Sequence, residues 1–98
     1  MLEPKTIEVS QQNIDQGVCE NKESCAIALA LRHTYLDEID YVEVERFDSI
    51  KMSSSDDRWW QVNICEDDDF KVQSFIDNFD DGKKVKPMSF KIDHIEEY

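Results

Sequence analysis

Three cysteines (Cys19, Cys25, Cys65) and two histidines (His33, His94) are the side chains of this chain best able to hold a metal or act as nucleophile and base. Five residues separate Cys19 from Cys25, His33 lies eight beyond Cys25, and Cys65 is remote. A zinc knuckle holds paired thiolates two to four residues apart, so this spacing predicts no metal site and no cofactor. Cys25 is expected as a small buried residue of an Ala/Leu-rich helix, Cys65 as the end of a strand, and His94 as a solvated side chain. Covalent catalysis needs a nucleophile against a base and an oxyanion site on a glycine turn or helix N-terminus. Both glycines, Gly17 and Gly82, fall where helix C-caps are expected. No phosphate loop, dinucleotide fingerprint, HExxH or EF-hand pattern occurs, and EDDDF lacks the spacing that wraps calcium. A non-enzymatic protein is expected.

What remains is charge. The chain carries 23 acidic against 11 basic residues, a net charge of −12. Residues 37–69 hold twelve of the carboxylates against Arg46, Lys51 and Arg58, a surplus of nine. The densest run is ICEDDDF, residues 64–70, with four consecutive carboxylates. Such a surplus repels nucleic acid and anionic membranes and speeds encounter with basic proteins. Carboxylates two apart on a strand stand roughly 6.8 Å apart on one face, a spacing close to that of a phosphate ladder. The residues expected to meet a partner are therefore Glu43, Glu45, Asp48, Asp56, Asp57, Glu66, Asp67, Asp68 and Asp69. Trp59 or Trp60 joins them, since adjacent strand residues face opposite sides and only one can enter the core. Trp59 is taken as the exposed anchor.

The elements that must position these residues follow from periodicity. Thr6–Ser10 alternates as a half-buried strand, Ser10 caps a helical turn over QQNIDQ, and Gly17 closes it. Ser24 is expected to cap a mostly buried helix over Cys25–Leu36, which is rich in strong helix formers. Alternation resumes over Ile39–Met52, with Val42 and Val44 opposite Glu43 and Glu45, and a turn or bulge near Arg46–Ser49. After the loop Ser53–Asp57, Trp60, Val62 and Ile64 share a face. Val72, Phe75, Ile76 and Phe79 then recur at i, i+3, i+4 and i+7, a surface helix capped by one of Asp67–Asp69 and ending at Gly82. Met88, Phe90 and Ile92 form a last strand, with Pro87 marking a strand start or an edge. An exposed edge over Met88–Ile92 would permit a homodimer, and Lys83, Lys84, Lys86 and Lys91 would guard it or pair with the acidic strands.

The order fits one α+β domain over residues 1–98, a mainly antiparallel sheet of four to five strands with two main helices packed on one face. The start of the chain has no basic and apolar leader pattern, and the sequence no apolar run of membrane-spanning length. Reduced thiols and a cytoplasmic location are expected.

The stretches VSQQNIDQG, CENKESCAIALALR and FIDNFDDGKKVKPMSFKI resemble a set of small proteins of bacteriophages, prophages and plasmids. These share a Cys-(Pro/Ala)-Ile-Ala-Leu-Ala-Leu helix and a late pattern matched here by Phe75, Phe79, Asp80, Gly82, Val85, Pro87 and Phe90. Ala26 stands where many of them have proline, and the acidic middle, Asp37–Asp69, lies outside the pattern. The resemblance implies a compact α+β fold of mobile-element origin and brings no catalytic residues. With the charge surplus, it leads to the expectation of an inhibitor of a basic nucleic-acid-binding protein, of the anti-CRISPR or anti-restriction type, acting in the host cytoplasm by DNA mimicry. The alternatives are an interaction or structural module whose acidic face is only solvated and, third, a Cys/His metal protein.

Overall fold

The structure, a computed structural model, describes residues 2–97. It begins with β1 (Thr6–Val9), whose Ile7 and Val9 are buried while Thr6 and Glu8 are exposed. Helix α1 (Gln11–Gln16) follows at once because Ser10 supplies a capping box. The Ser10 hydroxyl accepts the Asn13 N–H at 3.1 Å, and Asn13 Oδ1 accepts the Ser10 N–H at 3.0 Å. Two otherwise orphaned backbone donors are satisfied this way. Gly17 ends the helix in extended geometry (φ −70°, ψ 149°), not in the left-handed conformation of a glycine cap. The position needs glycine for space: an added Cβ would lie 2.8 Å from Ala26 N and 2.9 Å from Asn13 O.

Helix α2 (Ala26–Thr34) is shorter than expected. Its N-cap is Cys25 rather than Ser24, and Leu36 lies beyond its end, 69% exposed. Ser24 instead donates its N–H to Asn21, inside the turn that precedes the helix. Ala26, Ile27, Ala28, Ala30 and Leu31 are buried, so α2 is the central helix. Tyr35 closes it with a buried ring whose hydroxyl donates to Glu3 O at 2.6 Å. Burial pushes that phenol up to about 12.

A meander of β2 (Tyr41–Arg46), β3 (Ser49–Ser53) and β4 (Trp59–Ile64) comes next. The β2–β3 register shifts between Val44 and Arg46, the irregularity expected near that turn. Val42, Val44, Ile50, Met52, Trp60, Val62 and Ile64 point inward. A 3-10 turn (Glu66–Asp68) leads into α3 (Asp69–Asp80), which buries Val72, Phe75, Ile76 and Phe79. Its end is a Schellman cap: Lys83 N–H donates to Asn78 O (2.9 Å), Gly82 N–H donates to Phe79 O (3.1 Å), and Gly82 is left-handed at φ 75°.

The final strand, β5 (Met88–Glu97), completes a five-stranded antiparallel sheet in the order β1-β5-β4-β3-β2. The fold is thus α+β, with two main helices against an antiparallel sheet. Pro87 marks the strand start; β5 is not an edge. Residues Met88–Lys91 pair with β1, and Ile92–Glu97 pair with β4. Met88–Lys91 is therefore not the bare edge expected from sequence, because β1 pairs with it and the last segment of the chain continues against β4. Of the nearby lysines, Lys83 pairs with its neighbour Asp81, at 4.0 Å, and among the described residues with no carboxylate of an acidic strand. One edge of the sheet is partly covered, since β2's Val44 N–H donates to Lys22 O in the preceding loop (2.8 Å).

Candidate partner interface

The ten residues singled out from sequence fall in three places. Glu43 and Glu45 lie on the outer face of β2, where alternation with the buried Val42 and Val44 puts them. They are not free: Lys22 Nζ bridges both, at 3.2 Å and 3.4 Å. Partial burial opposes ionisation of Glu43, but Lys22, the neighbouring Glu45 and the Tyr41 hydroxyl outweigh it and hold its pKa below the ordinary value. The same pair raises the Lys22 ammonium, Glu43 foremost. Across the sheet the register runs Glu43, Lys51, Gln61, Glu96, so a cation stands directly opposite Glu43.

The second place is the end of the sheet shared by the β2–β3 turn and the C-terminus of β4, which antiparallel connection brings together. Asp48 sits in the turn and pairs with Arg46 at 3.5 Å. Phe47 N–H donates to Gln73 Oε1 at 3.0 Å, fixing this turn against α3. Glu66, Asp67, Asp68 and Asp69 form the 3-10 turn and the first residue of α3. The expectation that one of these aspartates caps the helix with its side chain is not met: Asp68 occupies the N-cap without a side-chain capping bond. Its carboxylate turns to the sheet. Asp68 Oδ2 accepts the Lys91 N–H at 2.7 Å, just past the residue where β4 stops pairing with β5, and Oδ1 meets Lys71 Nζ at 3.4 Å. The Lys91 N–H, with Lys71 beyond it, holds the Asp68 carboxyl below its usual range. Asp68 is a structural tie, whereas no cation among the described residues pairs with Glu66, Asp67 or Asp69.

The third place is the opposite end. Asp56 accepts from the Ser54 hydroxyl and pairs with Arg58 at 3.3 Å, and Asp57 takes a positive φ of 66° in the same loop. Asp40 Oδ2 accepts the Ser55 N–H. A groove of 490 Å³ opens here between Leu36, Asp37, Glu38, Asp40, Asp56 and Arg58. Trp59 is the exposed member of the tryptophan pair at 39%, against 4% for Trp60. It packs edge-on to Tyr41, ring centres 5.9 Å apart.

The cysteines are free thiols, with Cys19 exposed, Cys25 buried and Cys65 between. Burial pushes the Cys25 thiol up, away from nucleophilic character. Among the described residues no three His, Cys, Asp or Glu side chains converge as metal ligands, and no helix is long and apolar enough to cross a membrane. A 310 Å³ pocket lies beside Cys25, lined by Ile27, Val44, Phe75 and Phe79 and rimmed by Glu20 and Asp80.

Sequence reasoning missed the most exposed large apolar side chain of this surface. Phe70 is 84% exposed. Its signal was present: at 100° per residue it lies about 170° away from the centre of the stripe of Val72, Phe75, Ile76 and Phe79. No family model, curated protein or solved structure matches the chain.

Proposed function

We propose that this is a non-catalytic acidic protein that binds and inhibits a basic nucleic-acid-binding protein, its carboxylates taking the Lys and Arg side chains that otherwise hold phosphates. The observation that supports this most is the placement of uncompensated charge. Of the carboxylates in residues 37–69, those paired with a cation among the described residues are Glu43, Glu45, Asp48, Asp56 and Asp68. Asp37, Glu38, Asp40 and Asp57 at one end, of which Asp40 also accepts the Ser55 N–H, and Glu66, Asp67 and Asp69 at the other, are left to attract a partner. A merely solvated surface gains solubility from net charge anywhere. Leaving the unpaired carboxylates in two terminal groups, while Lys22 pairs with Glu43 and Glu45 on the central face, favours contact with separated cations. The resemblance to proteins of mobile elements makes a host defence nuclease, a CRISPR effector or a restriction enzyme, the partner of choice.

The test is displacement. Purified protein is titrated into complexes of such nucleases with labelled duplex DNA, and release and cleavage are followed at about 50 mM and about 200 mM salt. Release of DNA is expected at the lower salt, weakening steeply at the higher, because each Lys or Arg contact exchanged is a counterion-linked step. Failure to displace DNA from any of these proteins at the lower salt overturns the proposal.

A further inference from the structure

Phe70, in the first turn of α3, is 84% exposed and lies outside the core cluster. Just before it in the chain stand Glu66 and Asp67, both exposed, and the half-buried Asp69, none paired with a cation among the described residues. Lys71, the adjacent cation, is held by Asp68. A carboxylate collar alone fits any cation; what singles out a partner lies at the other end of the same helix. There an opening of 300 Å³ separates α1 from the segment that leaves α3, with Ile14, Phe79 and Val85 as its apolar lining and Lys83 and Lys84 at its rim. An apolar cavity of about 150 Å³ already takes benzene, so a phenyl ring has room. The one carboxylate lining the opening, Asp15, accepts from Gln11 Nε2 at 2.9 Å. Among the described residues Lys83 pairs with Asp81, at 4.0 Å, and Lys84 with no carboxylate.

Charge distinguishes this opening from others on the chain. The pocket beside Cys25 is rimmed by Glu20 and Asp80, and the groove beside Leu36 by Asp37, Glu38 and Asp40, so both repel the carboxylates before Phe70. The opening rimmed by Lys83 and Lys84 attracts them. Nine residues of helix, about 14 Å, separate Phe70 from Phe79, so the ring cannot fill the opening of its own copy. We propose that the protein self-associates, the Phe70 ring of one copy entering the opening lined by Ile14, Phe79 and Val85 on a second copy while Glu66 and Asp67 meet Lys83 and Lys84. An aromatic ring in an apolar socket, with charge pairs around it that exclude water, concentrates binding energy at a contact. Ring and opening are different patches, so the contact joins opposite ends of α3 from two copies. The net charge of −12 on each copy opposes association, but at about 150 mM salt repulsion beyond about 8 Å is screened while ion pairs in contact persist. This inference stands apart from the function proposed above, and it leaves Asp37, Glu38, Asp40 and Asp57 open to a foreign protein.

The experiment is sedimentation of the full chain at about 150 mM NaCl over concentrations up to about 1 mM, since one buried ring gives weak association, with Kd of about 0.1–1 mM. The mean mass of wild type is expected to rise with concentration, and Phe70→Ala to weaken association about tenfold while Phe70→Trp retains it. Two charge-reversed variants carry the sharper test, all at exposed positions, so that the fold is left intact. Glu66→Lys with Asp67→Lys sets basic collar against basic rim, and Lys83→Glu with Lys84→Glu sets acidic against acidic. Each is expected to stay monomeric alone, and an equal mixture of the two to associate, because every collar then meets a rim of opposite sign. A wild type that stays monomeric at about 1 mM, association unchanged by Phe70→Ala, or a mixture that associates no better than its components would each overturn the proposal.

Discussion

Asp68 shows how one side chain in an acidic run can serve the fold while its neighbours do not. Its carboxylate takes the Lys91 N–H that β4 no longer reaches, replacing a strand carbonyl with a charged acceptor. A charge-assisted bond of this kind, only partly exposed, is worth about 1–2 kcal/mol. Asp68→Ala is expected to lower stability in urea titration by that amount, with Asp68→Asn recovering part because its amide oxygen still accepts. Glu66→Gln, Asp67→Asn and Asp69→Asn should be close to neutral. The pH dependence follows from the sign of the shift. The folded-state pKa of Asp68 is depressed, so its contribution is complete above the unfolded carboxylate value and is lost as pH falls through the folded one. Asp68→Asn should flatten that acid limb of the stability profile. Charge-reversing Asp68 to probe partner binding would therefore confound folding with recognition, whereas the three neighbours are clean positions.

At the scale of elements, the two glycines end two helices for different reasons, and substitution separates them. Gly17 has an ordinary backbone but no room, with Ala26 N, Phe79 Cζ and Asn13 O all within 2.9 Å of where a methyl carbon would stand. Gly17→Ala must push α1 from α2 and is expected to cost about 1–3 kcal/mol. Gly82 has open space and a left-handed backbone at φ 75°. Gly82→Ala is expected to cost about 1 kcal/mol from strain alone, and Gly82→Asn less. If Gly17→Ala is the milder of the two in thermal or urea unfolding, the close packing of α1, α2 and α3 at that point is wrong.

At the scale of the molecule, a net charge of −12 works against compactness through self-repulsion. The protein is expected to gain a few degrees in Tm when NaCl is raised from about 10 mM to about 150 mM, because screening relieves that repulsion more than it weakens exposed ion pairs. A Tm that falls over this range would show that Lys22 with Glu43 and Glu45, and the other surface pairs, dominate instead. Affinity for a basic partner should move the opposite way with salt, so fold stability and binding are separable in one titration.

Periodicity alone specified the strands, the buried stripe of α3 and the α+β class, since side chains alternate every two residues on a strand and every 3.6 on a helix. It specified Ser10 as a cap and Gly82 as a left-handed stop, both local conformational choices. Even the exposure of Phe70 was legible, as an aromatic off the stripe. Tertiary structure decided what depends on residues far apart in the chain. That β5 inserts between β1 and β4 follows from which edges remain open once the meander has formed. That Asp68 faces Lys91, 23 positions away, and that Lys22 quenches Glu43 and Glu45, follows from loops brought against strands. A run of four carboxylates looks uniform in sequence because charge has no periodicity to betray its partner. Only the fold separates Asp68, bound inward to the sheet, from the exposed Glu66 and Asp67 and the half-buried Asp69, which have no cation partner among the described residues.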